Sequence, residues 1–272
     1  MLSGDMTKRQ RFIRWCALAL CLLLAALARP GHVAAERATA GTARMAWLPL
    51  IGGGAGCLAI PAESYATLPM NPPPTDRPAA LHADLNLALR GYAPALTFLG
   101  LVDYGGHADP AAPQLPGLFA DNRIPAFAAS YRVYDWNWAC NCRGALLTYP
   151  DVTLLGMRTA PGETIHVPDS GRTVGSGYEA FVLYADPERI TLKYTREDNV
   201  VFGYTIHIEG VCVEPRLLGL YQIWDAAGRG ELPVLRAGQA IGRARGSEIR
   251  VAIRDAGSFL DPRSRKDWWQ ER

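Results

Sequence analysis

The sequence predicts a mainly β protein, with a barrel or sandwich in its C-terminal half. The chain of 272 residues contains 27 glycines and 20 prolines, which supply the many turns that β folds need. Residues 150–262 contain short apolar runs about 10 to 15 residues apart, the spacing of strands in a sandwich or barrel. Ile249, Val251 and Ile253 alternate with polar residues, as in a strand with one dry and one wet face. A smaller α+β part is expected to precede this β domain.

Residues 1–35 read as a secretory signal peptide. Basic residues lie between Lys8 and Arg14, and residues 16–28 are apolar. This run is shorter than the roughly 20 residues that a membrane-spanning helix requires. Small residues end the segment and predict cleavage near Ala35. The alternative is an uncleaved membrane anchor, which would be the protein's only link to a membrane.

The charge of the mature chain gives no case for nucleic-acid binding. Residues 1–35 hold five basic residues and one acidic residue, so their removal lowers the formal net charge from +2 by 4, to −2. A chain that is 49% hydrophobic and 20% charged has a globular composition, large enough for one large or two small cores. Because the basic character belongs to the leader, no electrostatic footprint for nucleic acid remains.

Four cysteines follow the predicted leader: Cys57, Cys140, Cys142 and Cys212. An exported chain meets an oxidising compartment, so an even number of cysteines predicts disulfides, with three pairings open. We expect Cys140 and Cys142 to be too close along one strand to pair with each other. Free buried thiols and a zinc site built on this Cys-x-Cys are the alternatives.

The N-terminal part of the mature chain is expected to contain one helix and several strands. Residues 36–78 read as a loosely ordered lead segment with one strand at 45–51. Residues 79–92 have the best helical periodicity, since Leu81, Leu85 and Leu89 recur at helical spacing. Residues 95–102 and 126–137 are candidate strands of the α+β segment 79–148.

An unusual aromatic stretch follows at residues 134–144. Its candidate binding residues are Tyr134, Trp136, Trp138 and Arg143, with Asn137 and Asn141 between them. Aromatic rings with adjacent amides and a guanidinium can stack on sugar rings and hydrogen-bond their hydroxyls. The competing interpretation is a disulfide-pinned strand whose aromatics pack in the core.

Residues 150–262 are predicted to be a series of short strands. The candidates lie at 152–156, 164–167, 180–185, 189–194, 204–209 and 217–221. Residues 214–217 begin either a strand or one helical turn. Two further strands between 236 and 260 end at Asp261-Pro262, and residues 267–272 form a tail.

The closing stretch resembles the end of the lysostaphin-like zinc endopeptidases, the family of duplicated-hybrid-motif barrels. The motifs that carry the resemblance are the turn Ala237-Gly238-Gln239-Ala240-Ile241-Gly242, the pair Ile253-Arg254 and the pair Asp261-Pro262. Residues 161–171, 203–208 and 220–221 are similar to the family's first hairpin, central strand and Leu-Tyr strand. The resemblance covers residues 149–266 and implies a barrel domain there.

The zinc ligands of that family have no counterparts at the matching positions. The family holds Zn²⁺ with two histidines and an aspartate, and an open zinc site activates water. The first ligand pair falls on Tyr149 and Thr153, the His-x-His pair falls on Glu248 and Arg250, and a further histidine falls on Ile223. Arginine stays protonated and cannot bind zinc. The resemblance therefore implies a degenerate member with no catalytic residue, no metal and no cofactor.

We therefore expect a secreted, non-catalytic protein that binds a cell-wall glycan or peptide polymer, or an envelope protein. The former substrate groove would be lined by Glu248, Arg250 and Arg254. One alternative is an active zinc endopeptidase whose ligands are His166, Asp169 and His207. A second alternative is a structural surface domain without a small ligand.

Overall fold

A large antiparallel sheet is the main element of the fold, and its strands are numbered here in chain order. The computed structural model describes residues 57–270, all within one unit, Gly54–Arg272. The strands are β1 (Ala66–Pro69), β2 (Tyr92–Pro94), β3 (Phe127–Asn137), β4 (Cys142–Leu146), β5 (Leu154–Arg158), β6 (Thr164–His166), β7 (Ala180–Asp186), β8 (Arg189–Lys193), β9 (Tyr204–Glu209), β10 (Val211–Val213), β11 (Glu231–Leu235), β12 (Ala240–Ala244), β13 (Glu248–Asp255) and β14 (Ser258–Leu260).

The large sheet has the order β1-β11-β7-β8-β9-β13-β5-β3-β2, with β14 paired to β13 and β4 paired to β3. A second sheet has the order β10-β12-β6. Three short helices complete the described part: α1 (Leu87–Arg90), α2 (Pro215–Ala226) and α3 (Arg265–Trp268). The prediction of a mainly β protein is confirmed.

The large sheet has an apolar face and a polar face. Because side chains alternate along a strand, Ile249, Val251 and Ile253 of β13 point to one side and pack in the main core. The opposite side of three adjacent strands carries polar side chains. These are Arg189, Thr191 and Lys193 on β8, Thr205, His207 and Glu209 on β9, and Glu248, Arg250 and Arg254 on β13.

Residues 79–92 lie on this polar face, and the prediction of one continuous helix there is wrong. Only a 3₁₀ turn at Ala79–Leu81 and the four residues of α1 are helical. The backbone carbonyls are used elsewhere: Leu85 O accepts from Thr191 Oγ1 at 2.7 Å and Ala83 O accepts from Arg90 Nε at 3.1 Å. These tertiary hydrogen bonds replace the helical ones, since every buried backbone group needs a partner.

The longest described helix, α2, lies where we predicted a strand at 217–221. The side chain of Glu214 accepts hydrogen bonds from the amides of Arg216 and Leu217, and Pro215 occupies the first turn. An N-cap followed by proline is a strong helix start. Leu217 and Tyr221 then share the buried face that packs against β7 and β11.

The other strand predictions mostly agree with the structure. Strands β3, β5, β6, β7, β8 and β9 overlap the predicted ranges. Residues 95–102 are the exception, because the chain leaves the sheet edge after β2 and exposes Leu96 and Phe98. The predicted strand at 45–51, the leader and residues 36–56 of the lead segment fall outside the described residues.

The two predicted parts of the mature chain share one sheet. Strand β3, from the α+β segment 79–148, pairs with β5 of the predicted barrel domain 149–266. Strand β1, from the lead segment, pairs with β11. Within residues 57–270, no helix is long and apolar enough to span a membrane.

Two disulfides join the four cysteines. Cys57 bonds to Cys212 across 155 residues, and Cys140 bonds to Cys142 with a Cα–Cα distance of 5.3 Å. The expectation that Cys140 and Cys142 cannot pair is therefore wrong. They do not lie along one extended strand: β3 ends at Asn137, and Asn141 has a left-handed φ of 50° in the turn before β4. The turn brings the two sulfur atoms together.

Candidate functional site

Two tryptophans of the β3–β4 hairpin and two polar residues of a segment that precedes α1 meet in a group that we call the tryptophan ledge. It consists of Trp136, Trp138, Arg77 and His82. The rings of Trp136 and Trp138 meet edge to face with centroids 6.3 Å apart, and His82 meets Trp138 at 5.1 Å. Arg77 lies over the Trp138 ring at 5.0 Å. Trp138 is nevertheless 42% exposed, so part of its apolar surface is open to a ligand.

Asn141 fixes the ledge to the rest of the turn. Its Oδ1 atom accepts from Arg77 Nη1 at 2.7 Å and from Trp136 Nε1 at 3.3 Å. Arg77 also forms a two-point ion pair with Asp76. Trp136 is thus held by hydrogen bonds and Trp138 by ring contacts with Trp136, His82 and Arg77, and neither belongs to the buried core. The two tryptophans therefore do not pack in the core as the buried-strand interpretation expects, and the stacking-surface interpretation stays a prediction.

An open pocket of about 430 Å³ lies beside the ledge. Its walls include Trp138, His82, Asp76, the rigid pair Pro73-Pro74 and residues 198–201. Asp198 is fully buried and paired at two points with Arg229, so its charge is satisfied internally. Asp76 has a side chain that is 64% exposed and can still accept hydrogen bonds from a ligand.

Tyr134 and Arg143 lie on the same β3–β4 hairpin but outside the ledge. Arg143 stacks over the Tyr134 ring at 5.1 Å. A Cβ added to Gly91, which has a φ of +66°, would come within 2.6 Å of Arg143 Nη2. The glycine therefore leaves the space that the guanidinium occupies, and Arg143 extends the polar surface of the hairpin.

Glu248 and Arg250 form a separate cluster with two tyrosines. Arg250 donates to Glu248 Oε1 at 2.7 Å and to Tyr92 Oη at 2.9 Å, and Tyr131 Oη donates to Glu248 Oε1 at 3.3 Å. A Cβ at Gly156 would lie 2.8 Å from Glu248 Oε2, so the missing side chain makes room for this carboxylate. The cluster is half-buried and its hydrogen-bonding groups are satisfied by one another.

Arg254, the third residue expected to line the groove, is buried. It donates to Asp84 Oδ1 at 2.7 Å and to Gly257 O at 3.0 Å, and its guanidinium lies 4.7 Å from the Phe259 ring centroid. Asp84 also accepts from Arg90 Nη2 at 2.6 Å. Burial raises the pKa of Asp84, but the charges of Arg254 and Arg90 outweigh it and hold this pKa below its usual value. Arg254 therefore binds an internal carboxylate.

The alternative zinc ligands occupy three different settings. His166 lies on β6 of the small sheet, Asp169 caps the amide of Gly171 in the following loop, and His207 lies on β9 of the large sheet. His207 and Glu209 share a face, but they bond to Thr191 and Arg189 and not to each other. Among residues 57–270, no group of three histidine, cysteine, aspartate or glutamate side chains is arranged to hold a metal ion.

The positions that match the family's zinc ligands also differ in their environments. Tyr149 is 86% exposed, whereas Thr153 is fully buried and accepts from the amide of Val133 at 2.7 Å. Ile223 lies exposed on α2, because the residues matched to the family's Leu-Tyr strand are helical.

His207 is a buried, neutral histidine. Thr191 Oγ1 donates to Leu85 O, so it accepts from His207 Nδ1–H at 3.0 Å, and Nε2 has no partner among the described residues. Burial, followed by the charge of Arg254, lowers the pKa of His207 from 6.5 to about 3. The charged groups that face it are Arg254, Asp84 and Arg90.

This environment predicts acid-sensitive stability. Between about pH 6.5 and pH 3 the unfolded chain protonates His207 and the folded chain does not, so stability falls as the pH falls, by up to about 1.4 kcal/mol per pH unit. We expect His207→Leu to remove this contribution. Urea unfolding at several values from about pH 7 to pH 5 should give a shallower slope for the variant. Parallel curves for the two proteins would contradict the assignment of a neutral buried histidine.

Sequence reasoning missed the partners that come from distant segments. The sequence analysis placed neither Asp76 nor His82 at a binding site, but both line the pocket beside the ledge. The Pro72–Pro74 run that precedes them is a signal for a rigid turn. It gave no indication that this turn lies against Trp138.

Neither a scan of the sequence against protein-family models nor a search of curated proteins gives a match.

Proposed function

We propose that this protein is a non-catalytic binding protein that recognises a glycan of the cell envelope through the tryptophan ledge and its pocket. The observation that carries this proposal is Trp138, a large aromatic ring that is 42% exposed yet held in place beside a polar pocket. An exposed ring of this kind can stack on the apolar face of a sugar, which is the usual way aromatic side chains bind pyranoses.

The polar groups around the ledge suit the hydroxyls of a sugar. Asp76 offers carboxylate oxygens, Arg77 offers guanidinium donors and Asn199 adds an amide in the pocket wall. The Cys140–Cys142 disulfide restrains the turn that carries Trp138. Restraint before binding lowers the entropy lost on binding, so a small site of this kind can reach useful affinity.

The compartment is consistent with an envelope ligand. The two disulfides indicate an oxidising environment. Secretion through a leader cleaved near Ala35 and the resemblance to envelope endopeptidases support placing the ligand in the cell envelope. A zinc endopeptidase using His166, Asp169 and His207 remains the rival activity, and a purely structural domain remains the rival role.

The proposal predicts that Trp138→Ala folds normally and binds purified cell-wall glycan about tenfold more weakly, because the stacking surface is lost. Co-sedimentation with cell-wall sacculi and titration with soluble chitin oligosaccharides would measure the effect. Tyr149→Ala is the matched control, because Tyr149 is also an exposed aromatic but lines a different pocket.

Three results would contradict the proposal. Equal losses in the two variants would show that any exposed aromatic contributes to non-specific adhesion. A Trp138→Ala protein that does not fold would favour the structural role. Stoichiometric zinc that is lost on His166→Ala, together with cleavage of peptide cross-links, would establish the endopeptidase.

A further inference from the structure

A second cavity, separate from the ledge, has a lining rich in charged side chains. Its volume is about 390 Å³, near the lower end of the range for small-molecule sites. It lies between the loop that follows β6, the turn that joins β8 to β9, and the end of β13. The charged residues that line it are Asp109, Arg172, Arg196, Glu197 and Asp255.

None of these five side chains forms an ion pair within residues 57–270. Asp109 accepts from Tyr204 Oη at 3.0 Å and Glu197 accepts from Asn71 Nδ2 at 3.1 Å, so both carboxylates have neutral partners. Arg196 donates to the carbonyls of Pro69 and Val174.

The side chains of Arg172 and Asp255 have no hydrogen-bond partner at all among the described residues. These two opposite charges line the same cavity and are not within the 4.0 Å of an ion pair. Such an arrangement leaves both charges available to a ligand.

The two side chains of the cavity wall that lack a partner carry opposite charges. Lys193 is buried behind the wall, donates to Phe202 O and Gly203 O, and acts electrostatically on Glu197 and Asp255. Asp109, Glu197 and Arg196 have partners in the protein, so Arg172 and Asp255 are the cation and the anion of the wall that lack one among the described residues. A ligand that suits this cavity carries one positive and one negative charge and therefore no net charge. A simple anion would leave Asp255 without a partner, and a simple cation would leave Arg172 without one.

We propose that this cavity binds a small zwitterion of the α-amino-acid type, with its carboxylate on Arg172 and its ammonium on Asp255. Arginine presents paired donors that match a carboxylate, and a half-buried carboxylate is a strong acceptor for an ammonium. Asn71, Ser170 and Thr195 supply neutral hydrogen-bonding groups in the same wall. This inference is independent of glycan binding at the ledge.

The test uses the full protein, free amino acids of both hands, and two blocked derivatives of the best binder. N-acetylation removes the ammonium charge, and conversion to the amide removes the carboxylate charge. We expect each blocked derivative to bind at least about tenfold more weakly than the free amino acid in calorimetric titration, since each loses one charged hydrogen-bonding contact.

Two variants assign the ends of the ligand. Arg172→Gln should weaken binding of the free amino acid about tenfold and leave binding of the amide unchanged. Asp255→Asn should also weaken binding of the free amino acid about tenfold, but it should leave binding of the N-acetyl derivative unchanged. Arg158→Gln is the matched control, because Arg158 is exposed, has no ion pair and lies outside this cavity. Both test residues lack internal ion pairs, so the variants should keep the wild-type unfolding curve.

The proposal is overturned if no free amino acid binds. It is also overturned if either blocked derivative binds as well as the free amino acid, or if Arg158→Gln weakens binding as much as Arg172→Gln.

Discussion

Replacing Asp84 with asparagine is expected to lower the free energy of unfolding by about 3 to 5 kcal/mol, because it removes the carboxylate that two buried guanidinium groups share. Arg254 then has no ion-pair partner among the described residues, and Arg90 keeps only the exposed Asp135 at 3.4 Å. Asp84 Oδ1 accepts from Arg254 at 2.7 Å and from Arg90 at 2.6 Å. The side chains of Arg254 and Arg90 are only 5% and 4% exposed, so little water reaches them to replace the lost carboxylate.

This effect should exceed that of an ordinary surface pair because of the surroundings of the arginines. Both guanidinium groups lie near the ring of Phe259, at 4.7 Å for Arg254 and 5.6 Å for Arg90, in an environment of low polarity. Burial lowers the pKa of Arg254, and the charge of Asp84 acts in the opposite direction and stabilises the guanidinium. Asparagine keeps the shape of aspartate but supplies only one neutral acceptor.

Equilibrium unfolding in guanidinium chloride would measure the difference. Asp151→Asn is the control, because Asp151 is 69% exposed and pairs with Arg132 at 3.2 Å. An exposed pair of this kind contributes less than about 1 kcal/mol. A loss of unfolding free energy below about 1 kcal/mol for Asp84→Asn would mean that water or a local shift satisfies the two arginines. It would also mean that this carboxylate does not hold residues 79–92 against the polar face of the sheet.

Alternation along each strand made most of the sheet predictable from sequence. The pattern around Ile249 and Val251 fixes which side of β13 is apolar, and the same rule holds for β8 and β9. What it could not show is that the polar side of these strands is buried as well. The alternation separates polar from apolar side chains, but it does not show that another segment covers the polar ones.

The errors in helix assignment have the same origin. Residues 79–92 have helical periodicity, yet Leu85 O accepts from Thr191 of β8, and Ala83 O accepts from the buried side chain of Arg90. Tertiary hydrogen bonds therefore outweigh a weak local preference. The opposite error occurred at Glu214-Pro215, where the capping geometry that starts α2 is a local signal that was present in the sequence.

The candidate site was only partly predictable. Trp136 and Trp138 were identified from composition, because two tryptophans beside a Cys-x-Cys form a distinctive local stretch. Arg77 and His82 were not assigned to the same surface, since nearly 60 residues of sequence separate them from the tryptophans. Pairs formed across such distances depend on topology, which the sequence pattern alone does not specify.

Removing the Cys57–Cys212 disulfide is expected to cost about 4 kcal/mol of stability, mainly through the unfolded state. The bond spans 155 residues, so its loss frees a long loop in the unfolded chain. In the chain-entropy view, the stabilisation grows with the logarithm of loop length and reaches about 4 to 5 kcal/mol for loops above 100 residues. The double variant Cys57→Ser with Cys212→Ser should also unfold with a steeper denaturant dependence, because its unfolded state exposes more surface.

The Cys140–Cys142 bond provides an internal comparison in the same protein. It joins residues only two positions apart, so it restricts the unfolded chain very little. The double variant Cys140→Ser with Cys142→Ser should therefore keep the stability of the parent within about 1 kcal/mol while loosening the turn that carries Trp138. Equal losses for the two double variants would show that loop entropy does not govern either bond. A large loss confined to the Cys140–Cys142 pair would mean that the hairpin stabilises the whole sheet.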